Sequence, residues 1–233
     1  MHLIQKALRS KARSEKISVY KNFFKTGKGQ YGEGDEFIGV TVLDTRSIAK
    51  QFVDIHREEL IPILKSKIHE DRMCALIILT YQYEKAKKDS ERKEIVDFYL
   101  HHYYAGNNWD LIDCIVDRIL GPWLIDKDKT LLYNFARSSN LWERRMAIIT
   151  TFYFIKHNKF QETIKISEIL LEDKHDLIHK AVGWMLREVG KRDLETLENF
   201  LKKHYKKIPR TMLRYAIEKF PESKRKKYLE GKI

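Results

Sequence analysis

Residues 108–113 combine an indole, a carboxylate and a helix-capping residue at spacings that suit a chemical site. Their sequence is Asn108-Trp109-Asp110-Leu111-Ile112-Asp113, directly after a Gly106-Asn107 break. With Asn108 as the N-cap, Trp109 and Asp113 stand four positions apart on one helix face. A carboxylate beside an electron-rich ring can stabilise positive charge. The alternative is structural: Trp109 anchors a core, and Asp113 is a charge favoured near a helix start.

Two later segments have a related composition. They are Leu141-Trp142-Glu143-Arg144-Arg145 and Gly183-Trp184-Met185-Leu186-Arg187-Glu188. Trp184 and Arg187 stand three positions apart, so they share a helix face. From Trp109 to Arg145 is 36 residues, and Trp184 and Arg187 follow 39 and 42 residues later. This near-regular spacing suggests a repeated structural unit that stacks the three groups side by side.

The elements that must position these residues are helices. Apolar residues recur three and four positions apart along almost the whole chain. The main exception is a strand-like alternation from Phe37 to Val42. A weak period of about 35 residues relates positions in successive helices, namely Ala75, Leu111, Ala147, Ala181 and Ala216. We therefore predict an all-α fold, a curved α-solenoid of HEAT-like repeats in one domain spanning residues 1–233. The second helix of each repeat would line a concave wall.

Composition limits the class of protein. The 233 residues are 43% hydrophobic, enough for a full core, and no run of about 18 uncharged apolar residues occurs. The N-terminus does not have the apolar block of a signal peptide, so we expect a soluble, intracellular, cytoplasmic protein, monomeric by default. Cys74 and Cys114 are far apart. They predict buried thiols rather than a disulfide framework or a zinc site.

The net charge of +12 is concentrated at the C-terminal end. Residues 201–233 contain 12 Lys or Arg against three Glu, which is +9. A basic end interleaved with aromatic residues can follow a nucleic-acid backbone. A solvated helix face explains the same composition equally well.

Three further motifs are interpreted as false matches. Residues 27–32 fit G-x-G-x-x-G, but no buried strand precedes them, and Glu33 and Asp35 would repel phosphate, so we predict a loop. His175 and His179 stand four positions apart without a third ligand nearby, and His101-His102 has still less support. The sequence therefore predicts no metal site.

Several segments together resemble one known family. They are residues 108–113, Leu141 to Ile148, Lys180 to Glu188, and Pro209 to Ala216, the last with the sequence Pro-Arg-Thr-Met-Leu-Arg-Tyr-Ala. On these motifs the chain resembles the AlkD-like DNA alkylation repair glycosylases. The resemblance extends from about Phe37 to the basic end, which is nearly the whole chain.

The resemblance implies a HEAT-like fold that excises cationic N3- or N7-alkylated purines from duplex DNA. It implies that Asp113 is the catalytic carboxylate and that Trp109 and Trp184 flank the lesion. Arg145 would be the basic residue beside them, and Arg187 a second arginine on the same side. An N-terminal aromatic contact corresponds to Phe23 or Phe24. The further DNA-binding candidates are Lys180, Arg210 and Arg214.

The implied chemistry needs one carboxylate and no cofactor. A purine alkylated at N3 or N7 is already cationic, so it can leave without a general acid, unlike the leaving group of an O-glycosidase. Asp113 would stabilise the oxocarbenium-like sugar, while Arg145 and Arg187 clamp phosphates. We expect an open wall without a base pocket, and a monofunctional enzyme.

The alternative is a non-catalytic HEAT-like scaffold that binds nucleic acid or protein. RNA binding by the basic end is a third hypothesis.

Overall fold

The computed structural model describes residues 1–232, and over these residues it is all-α. The helices are α1 (Leu3–Arg9), α2 (Ser14–Phe23), α3 (Val42–Gln51), α4 (Ile61–Leu64), α5 (His69–Lys85), α6 (Asp89–His102), α7 (Trp109–Asp113), α8 (Val116–Leu124), α9 (Thr130–Ala136), α10 (Leu141–Lys156), α11 (Gln161–Ile169), α12 (Asp176–Gly190), α13 (Leu194–His204), α14 (Arg210–Ala216) and α15 (Glu222–Glu230). Two 3₁₀ turns cover Arg57–Leu60 and Tyr103–Ala105. None of the helices described has the length and apolar character needed to cross a bilayer.

The chain divides into two compact units. The first unit is Met1–Ile119, and the second unit begins at Leu120. Each has its own buried apolar residues, for example Leu76 in the first and Ile148 in the second. The single domain predicted from the sequence stays a prediction.

Helix α5 is the centre of the first unit. It packs against α1, α3, α4, α6 and α7, and its residues from His69 to Thr80 are all buried. A helix that is buried on every side must satisfy any charge it contains. Its first turn contains four such residues, His69, Glu70, Asp71 and Arg72, so the polar contacts of this unit concentrate at the start of α5.

The strand-like alternation at Phe37 to Val42 does not form a strand. Glu36 forms one isolated bridge with Ile68, and the backbone N–H groups of Ile38, Gly39 and Val40 donate instead to the Glu70 carboxylate at 2.8 to 3.2 Å. Gly39 has φ of +80°, and a Cβ there would lie 2.0 Å from the Arg13 carbonyl oxygen. The alternation in sequence reflects burial of the Phe37 and Val40 side chains.

The helices of the second unit pack in a repeat-like order consistent with an α-solenoid. Helix α10 packs on α12, and α12 packs on α14, while α9 packs on α10, α11 on α10 and α12, and α13 on α12. Gly183 permits the close approach of α12 to α14, because a Cβ there would lie 2.5 Å from the Met212 carbonyl oxygen. Residues 138–140, Gly190 and Pro209 are typical helix-breaking positions in the sequence, and each lies at a helix boundary.

The glycine-rich segment at residues 27–34 is a loop, as predicted. It contains turns but no helix or strand. The backbone N–H of Gly29 donates to Glu33 Oε2 at 2.7 Å, so a carboxylate already occupies the amide that a phosphate would need. Geometry as well as sequence therefore argues against phosphate binding by this G-x-G-x-x-G segment.

Candidate active site

Helix α7 positions Trp109 and Asp113 as its first and last residues. Asn108 is the N-cap, and its Oδ1 accepts from the Trp109 backbone N–H at 2.9 Å. Leu111 and Ile112 are buried without exposed surface and anchor the helix, whereas Trp109 and Asp113 are both half-buried. The predicted cap is confirmed, and the pair lies on one face of the helix within reach of solvent.

Two phenylalanines at the end of α2 support the Trp109 ring. Phe24 stacks on it with centroids 5.5 Å apart and planes 25° apart. Phe23 meets it edge-on at 5.6 Å. Phe23 is 59% exposed, whereas Phe24 is only 8% exposed. Phe23 is therefore accessible for a DNA contact. Phe24 is too deeply buried for one, so the expectation that Phe24 could be the N-terminal aromatic contact is wrong.

A histidine that the sequence analysis did not select lies behind these rings. His69 is 3% exposed, and its ring lies 4.9 Å from the Phe24 ring and 4.7 Å from the Phe37 ring, centroid to centroid. Its Nδ1 lies 3.1 Å from Asp35 Oδ2, and its Nε2 lies 2.9 Å from Asp110 Oδ2. Burial alone would lower the pKa of His69, but the two carboxylates outweigh it and raise the pKa to about 9.

Arg72 extends this polar cluster to the loop before α7. Its Nη2 donates to Asp35 Oδ1 at 2.7 Å and to Asn107 Oδ1 at 2.8 Å, and its Nε donates to the Ala105 carbonyl at 3.2 Å. Burial would raise the pKa of Asp35, yet the hydrogen bond from His69 and the charge of Arg72 lower it overall. The loop that leads into α7 is therefore tied to α5 by buried charge-assisted hydrogen bonds.

An apolar cavity of about 300 Å³ borders Trp109 within the first unit. Its lining is almost entirely apolar and includes Phe24, Phe37 and Met73. The sequence predicts an open wall without a base pocket, whereas this cavity lies beside Trp109 in the first unit. The physical reason is that α2 turns its aromatic residues onto Trp109, a contact across 85 residues of sequence.

The cysteines provide no nucleophile among the residues described. Cys74 is buried and Cys114 is partly buried, and both are free thiols. Burial raises the pKa of Cys74 to about 12 and that of Cys114 to about 11, where Asp110 and Asp113 add to the effect. Both thiols stay protonated at neutral pH, so they are inert packing groups.

Trp184 and Arg187 lie on α12 in the second unit. Trp184 is half-buried, and its ring lies 5.5 Å from that of Phe152. Arg187 pairs with Glu218, and its Nη2 also lies 3.6 Å from Glu188 Oε1. A phosphate that bound Arg187 would have to compete with these two carboxylates.

Arg145 is not placed as a surface clamp. It is 5% exposed, and its Nη1 donates to the Leu177 carbonyl at 2.5 Å. The expected phosphate clamp is therefore corrected: because the guanidinium is buried, this residue holds α10 to the start of α12 rather than facing DNA.

The remaining basic candidates also lie in the second unit. Lys180 pairs with Asp176 at 2.6 Å on α12. Arg210 and Arg214 are exposed on α14, and the Arg210 Nη2 donates to the Leu229 carbonyl at 3.0 Å. These side chains are accessible to a polyanion.

His175 and His179 make local hydrogen bonds at the start of α12. His175 caps α12 and accepts from the Leu177 N–H at 3.1 Å, while His179 Nε2 donates to the Asp173 carbonyl at 2.5 Å. Among residues 1–232 there is no group of three or more histidine, cysteine or acidic side chains arranged to hold a metal ion.

Known proteins resemble this chain both in sequence family and in fold. The sequence model for the DNA alkylation repair enzyme family matches residues 4–220. The chain is also similar to a solved structure described as a predicted DNA alkylation repair enzyme from Enterococcus faecalis. That likeness has a TM-score of 0.70 at 15% identity, covers 91% of this chain and 98% of that chain, and shows a shared fold. No curated protein matches the sequence.

Proposed function

Because this chain belongs to the DNA alkylation repair enzyme family, we propose that it is a monofunctional DNA glycosylase. Its substrates are cationic N3- or N7-alkylated purines in duplex DNA, and its product is an abasic site. The observation that carries the proposal is the arrangement on α7, where Trp109 and Asp113 lie one turn apart and half-buried, with the exposed ring of Phe23 beside Trp109.

The reaction is hydrolysis of the glycosidic bond. The bond between C1′ and the purine nitrogen breaks, and its electron pair neutralises the cationic base, which departs without protonation. Positive charge builds on the sugar, and the Asp113 carboxylate stabilises it. Water then bonds to C1′ and loses a proton to solvent or to Asp113, which also orients it. One carboxylate is enough because the leaving group is activated before it binds.

The aromatic residues recognise the charge of the lesion. An indole face attracts a cation by about 0.5 to 2 kcal/mol, depending on how far water is excluded. Phe24 stacks on the Trp109 ring and restricts its orientation. The ring therefore loses little conformational entropy when it binds the base. Trp184 is proposed as a second indole at the lesion on the family resemblance.

Backbone contacts come from basic side chains of the second unit. Arg187, Lys180, Arg210 and Arg214 are proposed to contact phosphates, together with the lysines of the C-terminal end. The +9 charge of residues 201–233 supports this assignment. Selection among bases then depends mainly on the charge and lability of the lesion.

The direct test is incubation with duplex DNA treated with a methylating agent, followed by identification of the released bases by mass spectrometry. We expect 3-methyladenine and 7-methylguanine, and no release from a uracil-containing duplex. Excision of uracil as fast as 7-methylguanine would refute selection by charge. Duplex binding without release of any base would favour the non-catalytic scaffold.

A second assay tests the monofunctional assignment. A lyase forms a Schiff base between a lysine and C1′, and borohydride reduces this to a stable protein–DNA adduct. We expect no adduct with methylated duplex under conditions where bases are released. A borohydride-dependent adduct would indicate that a lysine, rather than water oriented by Asp113, attacks C1′.

A further inference from the structure

His69 is a buried ionisable residue that the proposed reaction does not use directly. Both of its ring nitrogens lie within hydrogen-bond distance of carboxylate oxygens, from Asp35 on one side and Asp110 on the other. An ionised carboxylate only accepts hydrogen bonds, so both nitrogens must carry a proton for the two bonds to form. This geometry fits an imidazolium that donates to a carboxylate on each side.

We propose that His69 is a positioning residue, which in its imidazolium form holds α7 so that Trp109 and Asp113 are aligned for base release. This inference rests on the proposed function, since the alignment matters for that reaction. His69 is buried against Phe24 and Phe37, so its proposed effect on the reaction is through α7.

Two physical links connect His69 to the residues of α7. The first is the hydrogen bond to Asp110, the residue between Trp109 and the buried Leu111. The second is a ring stack in which His69 lies against Phe24, and Phe24 lies against Trp109. A helix of five residues has no stability of its own, so its orientation depends on such tertiary contacts.

The charges that face His69 make the protonated state necessary. Asp35 also faces Arg72, and Asp110 faces His69, so the four groups balance two positive against two negative charges. The nearby Glu70 carboxylate is occupied by the backbone N–H groups of residues 38–40. If His69 loses its proton, one carboxylate then faces an acceptor in a buried site, and the hold on α7 weakens. With the pKa of His69 raised to about 9, this occurs only in alkaline solution.

The test replaces His69 by glutamine, which can donate a hydrogen bond but carries no charge. His204→Gln is the matched control, because His204 Nε2 lies 2.9 Å from a single carboxylate, Glu168, in the second unit. Single-turnover base release by His69→Gln is expected to slow about tenfold or more through misalignment. Affinity for undamaged duplex should change less than twofold, and His204→Gln should match the wild type in both. A folded His69→Gln protein with the wild-type rate overturns the proposal.

The pH profile separates positioning from a general loss of structure. After correction for spontaneous base loss, the wild-type rate should fall as pH rises through about 9, and His69→Gln should lack this fall. If His69→Gln does not fold, Asp110→Asn is the second variant. Without the Asp110 carboxylate the pKa of His69 should be lower, so the rate of base release should fall at a lower pH than in the wild type. An unshifted profile in folded Asp110→Asn contradicts the proposal.

A readout independent of activity distinguishes failure of this inference from failure of the proposed function. The four tryptophans can be labelled with 5-fluorotryptophan, and Trp109→Phe identifies the Trp109 resonance in ¹⁹F NMR spectra. That resonance should move between pH 7 and 10 in the wild type, and it should be displaced at pH 7 in His69→Gln but not in His204→Gln. If the wild type releases no base and the resonance still moves, the glycosylase assignment fails while the control of Trp109 by His69 stands. A resonance that does not respond to His69→Gln refutes that control.

Discussion

Phe24 stacks on Trp109 at 5.5 Å, although 85 residues separate them in the sequence. The same phenylalanine stacks on Phe37 at 5.1 Å with nearly parallel planes. The ring proposed to meet a cationic base is thus one end of a buried aromatic stack. Its position depends on a segment, α2 and the loop after it, that the candidate site motifs do not include.

Truncating the two adjacent phenylalanines should destabilise the protein to different extents. Phe24→Ala removes a buried ring from the stack and is expected to cost about 3 to 5 kcal/mol of unfolding free energy. Phe23→Ala removes a 59% exposed ring and should cost less than about 1 kcal/mol, while slowing base release through loss of a contact at Trp109. Urea unfolding and single-turnover assays measure the two effects. Equal destabilisation by both changes would contradict the assigned burial.

Stability should depend on pH through His69. The pKa of His69 is raised in the folded protein to about 9 from the ordinary 6.5. The contribution of its charge is therefore fully present below about pH 6.5 and is lost as pH rises through about 9. A shift of this size corresponds to at most about 3 kcal/mol. Urea unfolding at several values between pH 6 and 10 should show this decline in the wild type and a flatter dependence in His69→Gln. Parallel curves would show that the imidazolium adds nothing to folding.

The buried carboxylate of Asp71 should make Arg9 important for stability. Asp71 has no exposed side-chain surface, and Arg9 contacts both of its oxygens, at 2.5 and 3.0 Å. Arg9→Met would leave that charge without its guanidinium and should cost at least about 2 kcal/mol. The control is Arg57→Met, because its partner Glu94 is exposed whereas Asp71 is buried, and a pair with an exposed carboxylate is worth about 0 to 1 kcal/mol. Thermal unfolding of both variants compares them, and similar losses would argue against the buried pair.

Basic residues of α15 should contribute to DNA affinity in a salt-dependent manner. Lys226 and Lys227 are exposed there. Changing both to glutamine should weaken duplex binding and lower the slope of log K against log salt by about 1 for each lysine that contacts a phosphate. Changing Lys85 and Lys93 to glutamine in the first unit is the matched control, since each already pairs with an aspartate. An unchanged slope after the α15 changes would indicate that this basic end is only a solvated face.

Local signals predicted much of the fold. Asn108 as N-cap and the i, i+4 placement of Trp109 and Asp113 follow from sequence spacing, and the structure has both. Gly121-Pro122 is a pair that predicts a helix break, and this prediction is wrong, since both residues lie inside α8. Gly121 is there for close packing, because a Cβ would lie 2.3 Å from Tyr153 Cβ. A glycine selected by tertiary contact looks the same in sequence as one that ends a helix.

The polar cluster at His69 was beyond sequence reasoning because its members are distant along the chain. Asp35 and Asp110 lie 34 and 41 residues from His69, and no periodicity relates them. One signal was present: four consecutive charged or ionisable residues, His69 to Arg72, directly precede a long apolar run. Such a cluster at the start of a fully buried helix requires partners elsewhere in the chain.

The carboxylate of Asp113 is proposed to lower the barrier to base release. Asp113→Asn is nearly isosteric but cannot provide the negative charge, and Asp97→Asn makes the same change at an exposed position of α6 in the same unit. The decisive measurement is the single-turnover rate of 7-methylguanine release at saturating enzyme. We predict a fall of about 100-fold or more for Asp113→Asn, with duplex affinity retained and the Asp97→Asn rate equal to wild type. An Asp113→Asn protein that binds duplex normally and releases the base at the wild-type rate would contradict the account.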